Sequence, residues 1–141
     1  MGQHERQVTE LRLVVTATDY EAAVHFFRDV LGLAEHESYQ ANGGHVVILD
    51  AGRATLEIND PSYAEYIDDV EVGHRVEGRI RIAFEVPDAR TATSELMDAG
   101  SRLVAEPTVT PWETLNSRLE GPEGLAVTVF GPVDTGQEEY D

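Results

Sequence analysis

One pattern occurs twice in this chain, 69 positions apart, and it constrains the fold more than any other feature. The first copy runs from Arg12-Leu13-Val14-Val15-Thr16-Ala17-Thr18-Asp19 into a helix-compatible stretch closing at Leu31-Gly32. The second runs from Arg81-Ile82-Ala83-Phe84-Glu85-Val86-Pro87-Asp88 into another closing at Ala99-Gly100. In each copy a strand leads to an aspartate suited to cap a helix, and a glycine suited to end it follows. A whole supersecondary unit repeated at fixed spacing indicates a duplicated module. The repeat also places Arg12 and Arg81 at equivalent points on two strands.

The remaining segments complete each module in the same way. Leu11 to Ala17 alternates, with Leu11, Leu13, Val15 and Ala17 on one face and Arg12, Val14 and Thr16 on the other. Asp19 opens a helix whose expected buried side carries Ala23, Phe26, Phe27, Val30 and Leu31. Three strands follow, over 34–40, 45–50 and 53–59, separated by turns at Asn42-Gly43-Gly44 and Ala51-Gly52. Asp60-Pro61 then opens a short linker helix with Tyr63, Tyr66, Ile67 and Val70 at helical spacing, closing at Gly73. In the second module Ile80, Ile82, Phe84 and Val86 share one strand face, and Arg79, Arg81, Ala83 and Glu85 the other. Its helix, from Asp88 to Ala99, is expected to turn Ala92, Leu96 and Met97 inward. Strands over 101–106, 114–120 and 125–130 complete it, the last two joined by Gly121-Pro122-Glu123-Gly124.

The expected architecture is therefore α+β, two tandem βαβββ modules. It comprises an N-terminal arm (1–8), a first module (9–59), a linker helix (60–77), a second module (78–132) and an acidic tail (133–141). The helix covers one face of each small sheet, so the other faces must be buried against each other, a partner or a ligand. Two curved sheets facing one another make a cleft, an open barrel lined by the residues opposite the helices.

Composition removes several classes of function. A formal charge of −17 and a pI near 4.4 argue against nucleic acid, whose phosphates would be repelled. Cysteine is absent, which removes disulfides, thiolate metal sites and cysteine nucleophiles. All ten basic residues other than histidine are arginine, so Schiff-base chemistry, which needs a lysine amine, is also removed. No apolar run is long enough to span a membrane and the N-terminus lacks a signal-peptide apolar region, so a cytoplasmic protein is expected.

The layout resembles the vicinal oxygen chelate superfamily, the group of glyoxalase I, bleomycin-resistance proteins, fosfomycin-resistance enzymes and extradiol dioxygenases. The resemblance extends over about Leu11 to Pro132. It rests on Thr18-Asp19-Tyr20-Glu21-Ala22-Ala23 through Phe27-Arg28-Asp29-Val30-Leu31-Gly32-Leu33, on Ile82 to Asp88, and on Gly121-Pro122-Glu123-Gly124. In the metal-using members it implies a divalent ion held from the first and last strands of each module. Those positions here carry Arg12, Glu57, Arg81 and Thr128, of which only Glu57 is a good cation ligand. A guanidinium has no lone pair to give and stays charged, so two of them would repel a divalent ion. Neither a metal site nor another cofactor is expected.

Two uses of this constellation remain open. Paired arginines can grip a carboxylate, phosphate or enolate by charge-assisted hydrogen bonds, or stabilise a developing oxyanion. Alternatively, Glu57 and the nearby Glu85 satisfy both arginines in a structural Arg–Glu–Arg cluster. Trp112, after Thr110-Pro111, could form a stacking wall with Phe130, rimmed by Asn116 and Arg118. An indole face also holds cations, which suits the acidity and the bleomycin-resistance branch. The expected function is metal-independent binding of a small molecule in the cleft, of sequestration or resistance type, by a homodimer. The alternative is a lyase, isomerase or dioxygenase of the same superfamily, with Glu57 as candidate general base.

Overall fold

The computed structural model describes residues 8–76 and 78–134. The chain builds β1 (Glu10–Thr16), α1 (Tyr20–Val24) with a π-helical continuation (His25–Val30), β2 (Glu35–Ala41), β3 (Gly44–Ala51) and β4 (Ala54–Asn59). Helix α2 (Pro61–Glu71) follows, and then β5 (Ile80–Glu85), α3 (Ala89–Asp98), β6 (Arg102–Val109), β7 (Thr114–Glu120) and β8 (Ala126–Pro132). The eight strands form one open mixed sheet in the order β2-β3-β4-β1-β5-β8-β7-β6. Each half is thus a βαβββ unit, and the antiparallel pairing of β1 with β5 joins them. Of the expected arm and tail, residues 1–7 and 135–141 lie outside the described residues.

Asp19 and Asp88 cap their helices as the repeat implies, accepting bonds from the backbone amides of Ala22 and Thr91. Under α1, the residues Val24, Val47, Leu49, Leu56 and Ile58 form one core, with Leu13, Val15 and Ala17 against it. Under α3, Val86, Leu115, Leu119, Val127 and Val129 form the second. The opposite face holds a small third cluster of Val14, Ala83 and Phe130. The strand faces expected for β1 and β5 are those observed.

Two helix faces differ from expectation. Phe26, Val30 and Leu31 are 59%, 67% and 62% exposed rather than buried. The amide of Leu31 bonds the carbonyl of Phe26, five residues back, and this wider π-helical turn rotates those side chains off the sheet. On α3 the buried residues are Ala89 and Thr93, while Leu96 and Met97 are exposed. The Thr93 hydroxyl bonds the carbonyl of Ala89 at 2.6 Å and shares a bond with Ser117 Oγ at 2.7 Å, which fixes that side of the helix against β7. Strand β6 also runs three residues beyond its expected end at Glu106, through Pro107. It is an edge strand with two register shifts, where a proline without an amide donor is tolerated.

Helix α2 does more than link. Asp60 caps it, accepting from the Tyr63 amide at 2.9 Å, and Pro61 occupies its first position. It crosses the sheet face that α1 and α3 leave open, packing Tyr63 and Ile67 on Val46. Gly44 permits this approach, since a Cβ there would lie 2.3 Å from the Tyr63 amide nitrogen.

Candidate functional site

The face opposite α1 and α3 is read directly from the strand register. Arg12 stands beside Thr55 and Ala83, Val14 beside Glu57 and Arg81, and Ala83 beside Thr128. Glu57 next to Val14 in the first half thus corresponds to Thr128 next to Ala83 in the second. All four residues line a cleft of about 320 Å³. Phe130 and Asn116 also line it, as do Trp112, Tyr63 and Ile67 on the side of α2. Seven of the eight residues singled out from the sequence therefore share one cavity.

Arg118 is the exception. It does not line this cleft; it lies beneath α2, where its Nε donates to Glu71 Oε1 and its Nη2 to Asp68 Oδ1, both at 2.7 Å. Asn116 donates to the second oxygen of Glu71 at 2.7 Å, and Arg75 reaches the second oxygen of Asp68 at 2.6 Å. Asp68, Glu71 and Arg118 are each no more than 5% exposed. Burial works against the Arg118 charge, but Glu71 and Asp68 outweigh it and hold its pKa above the ordinary arginine value. The rim role expected for Arg118 is accordingly replaced by a buried clasp between α2 and β7. Asp68 and Glu71 were not anticipated as partners; their signal was two acids three residues apart, on the α2 side that also carries Ala64 and Ile67.

Arg12 and Arg81 are placed alike but partnered differently. Arg12 contacts Glu10 Oε2 at 3.0 Å and Glu57 Oε1 at 3.4 Å, and its Nε also donates to Thr55 Oγ1 at 3.1 Å. Its guanidinium carbon lies 5.3 Å from the centre of the Phe130 ring, a cation–π contact. Arg81 donates to Thr128 Oγ1 at 2.8 Å. Among the described residues no carboxylate lies within ion-pair distance of it, and Glu85 bonds the Thr9 hydroxyl instead. The expected Arg–Glu–Arg cluster does not form, because Glu85 stands opposite Glu10, at the other end of the β5 face from Arg81. Burial, and then the Arg118 charge, draw the Arg81 pKa below the ordinary arginine value. Tyr63, buried and close to Glu57, has its phenol pushed up to about 12.

The four positions that hold a metal in metal-using vicinal oxygen chelate proteins do not fit a divalent ion here. Two are guanidiniums with no lone pair to donate, one is a hydroxyl already accepting from Arg81, and the one carboxylate is engaged by Arg12. Among the described residues no group of three or more histidine, aspartate or glutamate side chains could hold such an ion.

This fold and cleft define a class. Residues 11–129 match the Glyoxalase/Bleomycin resistance protein/Dioxygenase superfamily, and the chain belongs to it. No curated protein sequence matches the chain. Among solved structures, a hypothetical protein from Bacillus halodurans C-125 is similar with a TM-score of 0.69 and 15% identity, over 92% of this chain and 97% of that one. Methylmalonyl-CoA epimerase of Streptomyces coelicolor, in complex with 2-nitronate-propionyl-CoA, gives 0.62 and 18% identity over 89% and 96%. The Mycobacterium tuberculosis epimerase gives 0.60 and 16% over 98% and 99%. At these identities the likeness is one of fold. Among the described residues no helix is long and apolar enough to cross a membrane.

Proposed function

We propose that this protein binds a small organic molecule in the cleft without a metal ion, as a sequestering or resistance-type member of its superfamily. The observation that carries this reading is the occupation of the four metal-ligand positions by Arg12, Glu57, Arg81 and Thr128 on the cleft lining. The cavity volume, about 320 Å³, lies within the range of small-molecule sites, and Trp112, Phe130 and Tyr63 supply aromatic wall. A cytoplasmic homodimer is the proposed form. The open edges of β2 and β6 and the exposed Phe26, Val30 and Leu31 support self-association.

Elemental mass spectrometry on protein purified without a metal-affinity tag, then challenged with nickel, zinc, iron and manganese, tests the metal-free reading. Substoichiometric metal throughout is expected, together with small-molecule binding that persists in EDTA. A stoichiometric metal that binding requires would overturn it. Light scattering that shows monomer at micromolar concentration would remove the dimer.

A further inference from the structure

The charges along the cleft are not evenly spent. Arg12 is committed to Glu10 and Glu57, and Arg118 and Arg75 are committed to Asp68 and Glu71. A guanidinium carries five N–H donors. Among the described residues only Thr128 accepts from Arg81, and Arg81 lies on the cleft lining with its other donors uncommitted. The opposite imbalance lies at the far end of the same ladder. There Glu10 stands directly opposite Glu85, and both line the cleft. Like charges directly opposite across a strand pair are destabilising unless a cation lies between them. Arg12 neutralises Glu10, but Glu85 has no arginine partner among the described residues. Arg81 and Glu85 share a face of β5 four residues apart, roughly 13 Å along the strand. Phe130 and Trp112 line the same cavity.

From this polarity we infer that the ligand is an amphipathic zwitterion: an oxyanion, a carboxylate by preference, received by Arg81, an apolar middle, and a protonated nitrogen at Glu85. The inference rests on the cleft being a ligand site and adds which end of the ligand goes where. The carboxylate replaces the acceptors that Arg81 lacks, through the bidentate geometry that guanidinium favours. The ammonium end supplies the cationic partner that Glu85 lacks among the described residues. Net negative charge then favours approach of the cationic end to the cleft.

Isothermal titration calorimetry of the full chain at low salt tests this with three matched compounds: 8-aminooctanoate, octylammonium and octanoate. The zwitterion is expected to bind about tenfold or more tighter than either singly charged analogue. Arg81→Gln is expected to abolish its advantage over octylammonium while octylammonium still binds. Glu85→Gln, at a partly exposed position, is expected to reduce its advantage over octanoate alone. If octylammonium matches the zwitterion on the unmodified protein, the inference fails while small-molecule binding in the cleft stands. If Glu85→Gln leaves both advantages unchanged, the assigned orientation is wrong. If none of the three binds at millimolar concentration, the inference and the proposed function fall together.

Discussion

Leu13 stands opposite Ile82 in the ladder that joins β1 to β5, and Ile82 is its own counterpart in the second copy of the module. A residue paired with its own counterpart marks a local two-fold axis. On either side, Arg12 opposite Ala83 and Val14 opposite Arg81 are one pair seen from two ends. The two arginines therefore occupy equivalent backbone positions, and their neighbours distinguish them. Arg12 now lies between two glutamates, whereas Arg81 bonds a threonine.

The buried clasp under α2 gives the largest expected effect on stability. Arg118→Met leaves the buried Glu71 carboxylate without a cation and Asp68 with Arg75 alone. A loss of about 3–5 kcal/mol is expected by urea unfolding. Combining it with Asp68→Asn and Glu71→Gln should restore much of that loss, since the uncompensated charge goes with them. A single variant as stable as the parent would show that the clasp contributes nothing.

Tyr63 carries a pH signature. Burial, then the Glu57 charge, favour its neutral phenol and push its pKa up to about 12. A phenol in the unfolded chain ionises near 10, so this contribution to stability is whole below about pH 10 and lost as pH rises towards 12. Absorbance titration of the folded protein near 295 nm should show a late phenol that disappears in Tyr63→Phe. An unchanged late phase in the variant would assign it to another tyrosine.

Asp60 acts at the acid end. Burial works to raise its pKa, but the amides of Tyr63 and His45 and the His45 ring hold it below the ordinary carboxylate value. Its contribution is therefore present above about pH 3.9 and lost as pH falls through the lower folded value. Asp60→Ala should cost about 1 kcal/mol at neutral pH through loss of the α2 cap, and less in acid. Equal destabilisation at pH 7 and pH 2.5, followed by denaturant melts, would contradict the assignment.

Gly44→Ala should lift the start of α2 from β3. The added methyl would meet the Tyr63 backbone, which cannot rotate away as a side chain could. A cost of roughly 1–3 kcal/mol is expected by thermal or urea unfolding. Gly43→Ala makes no such contact and serves as the comparison, reporting only its positive φ of 76°. A Gly44 variant no worse than the Gly43 variant would remove the close-approach argument.

Much of this arrangement was legible in the sequence because local rules and global fold agree in the repeated parts. The 69-residue spacing, the two aspartate caps and the period of two along β1 and β5 put Arg12 and Arg81 on the face opposite the helices, and the resemblance to the vicinal oxygen chelate superfamily added Glu57 and Thr128. What escaped has no local signature. The π-helical turn that exposes Phe26 and Val30 depends on how α1 meets the sheet, while the residue pattern suits an ordinary helix equally well. The pairing of Arg118 with Asp68 and Glu71 spans about fifty positions and requires α2 to cross the concave face, which no spacing rule encodes. The failure of Glu85 to reach Arg81 is likewise a matter of distance along a strand, not of charge.

The covalent path from β4 to β5 runs through α2, and the clasp pins that path to β7. The span between the two halves is thus set by the protein before any guest arrives. On the proposed binding role, such a cavity would behave as a mould and not as a jaw. It would discriminate by refusing shapes that its walls do not match, with little freedom to tighten around those that it accepts.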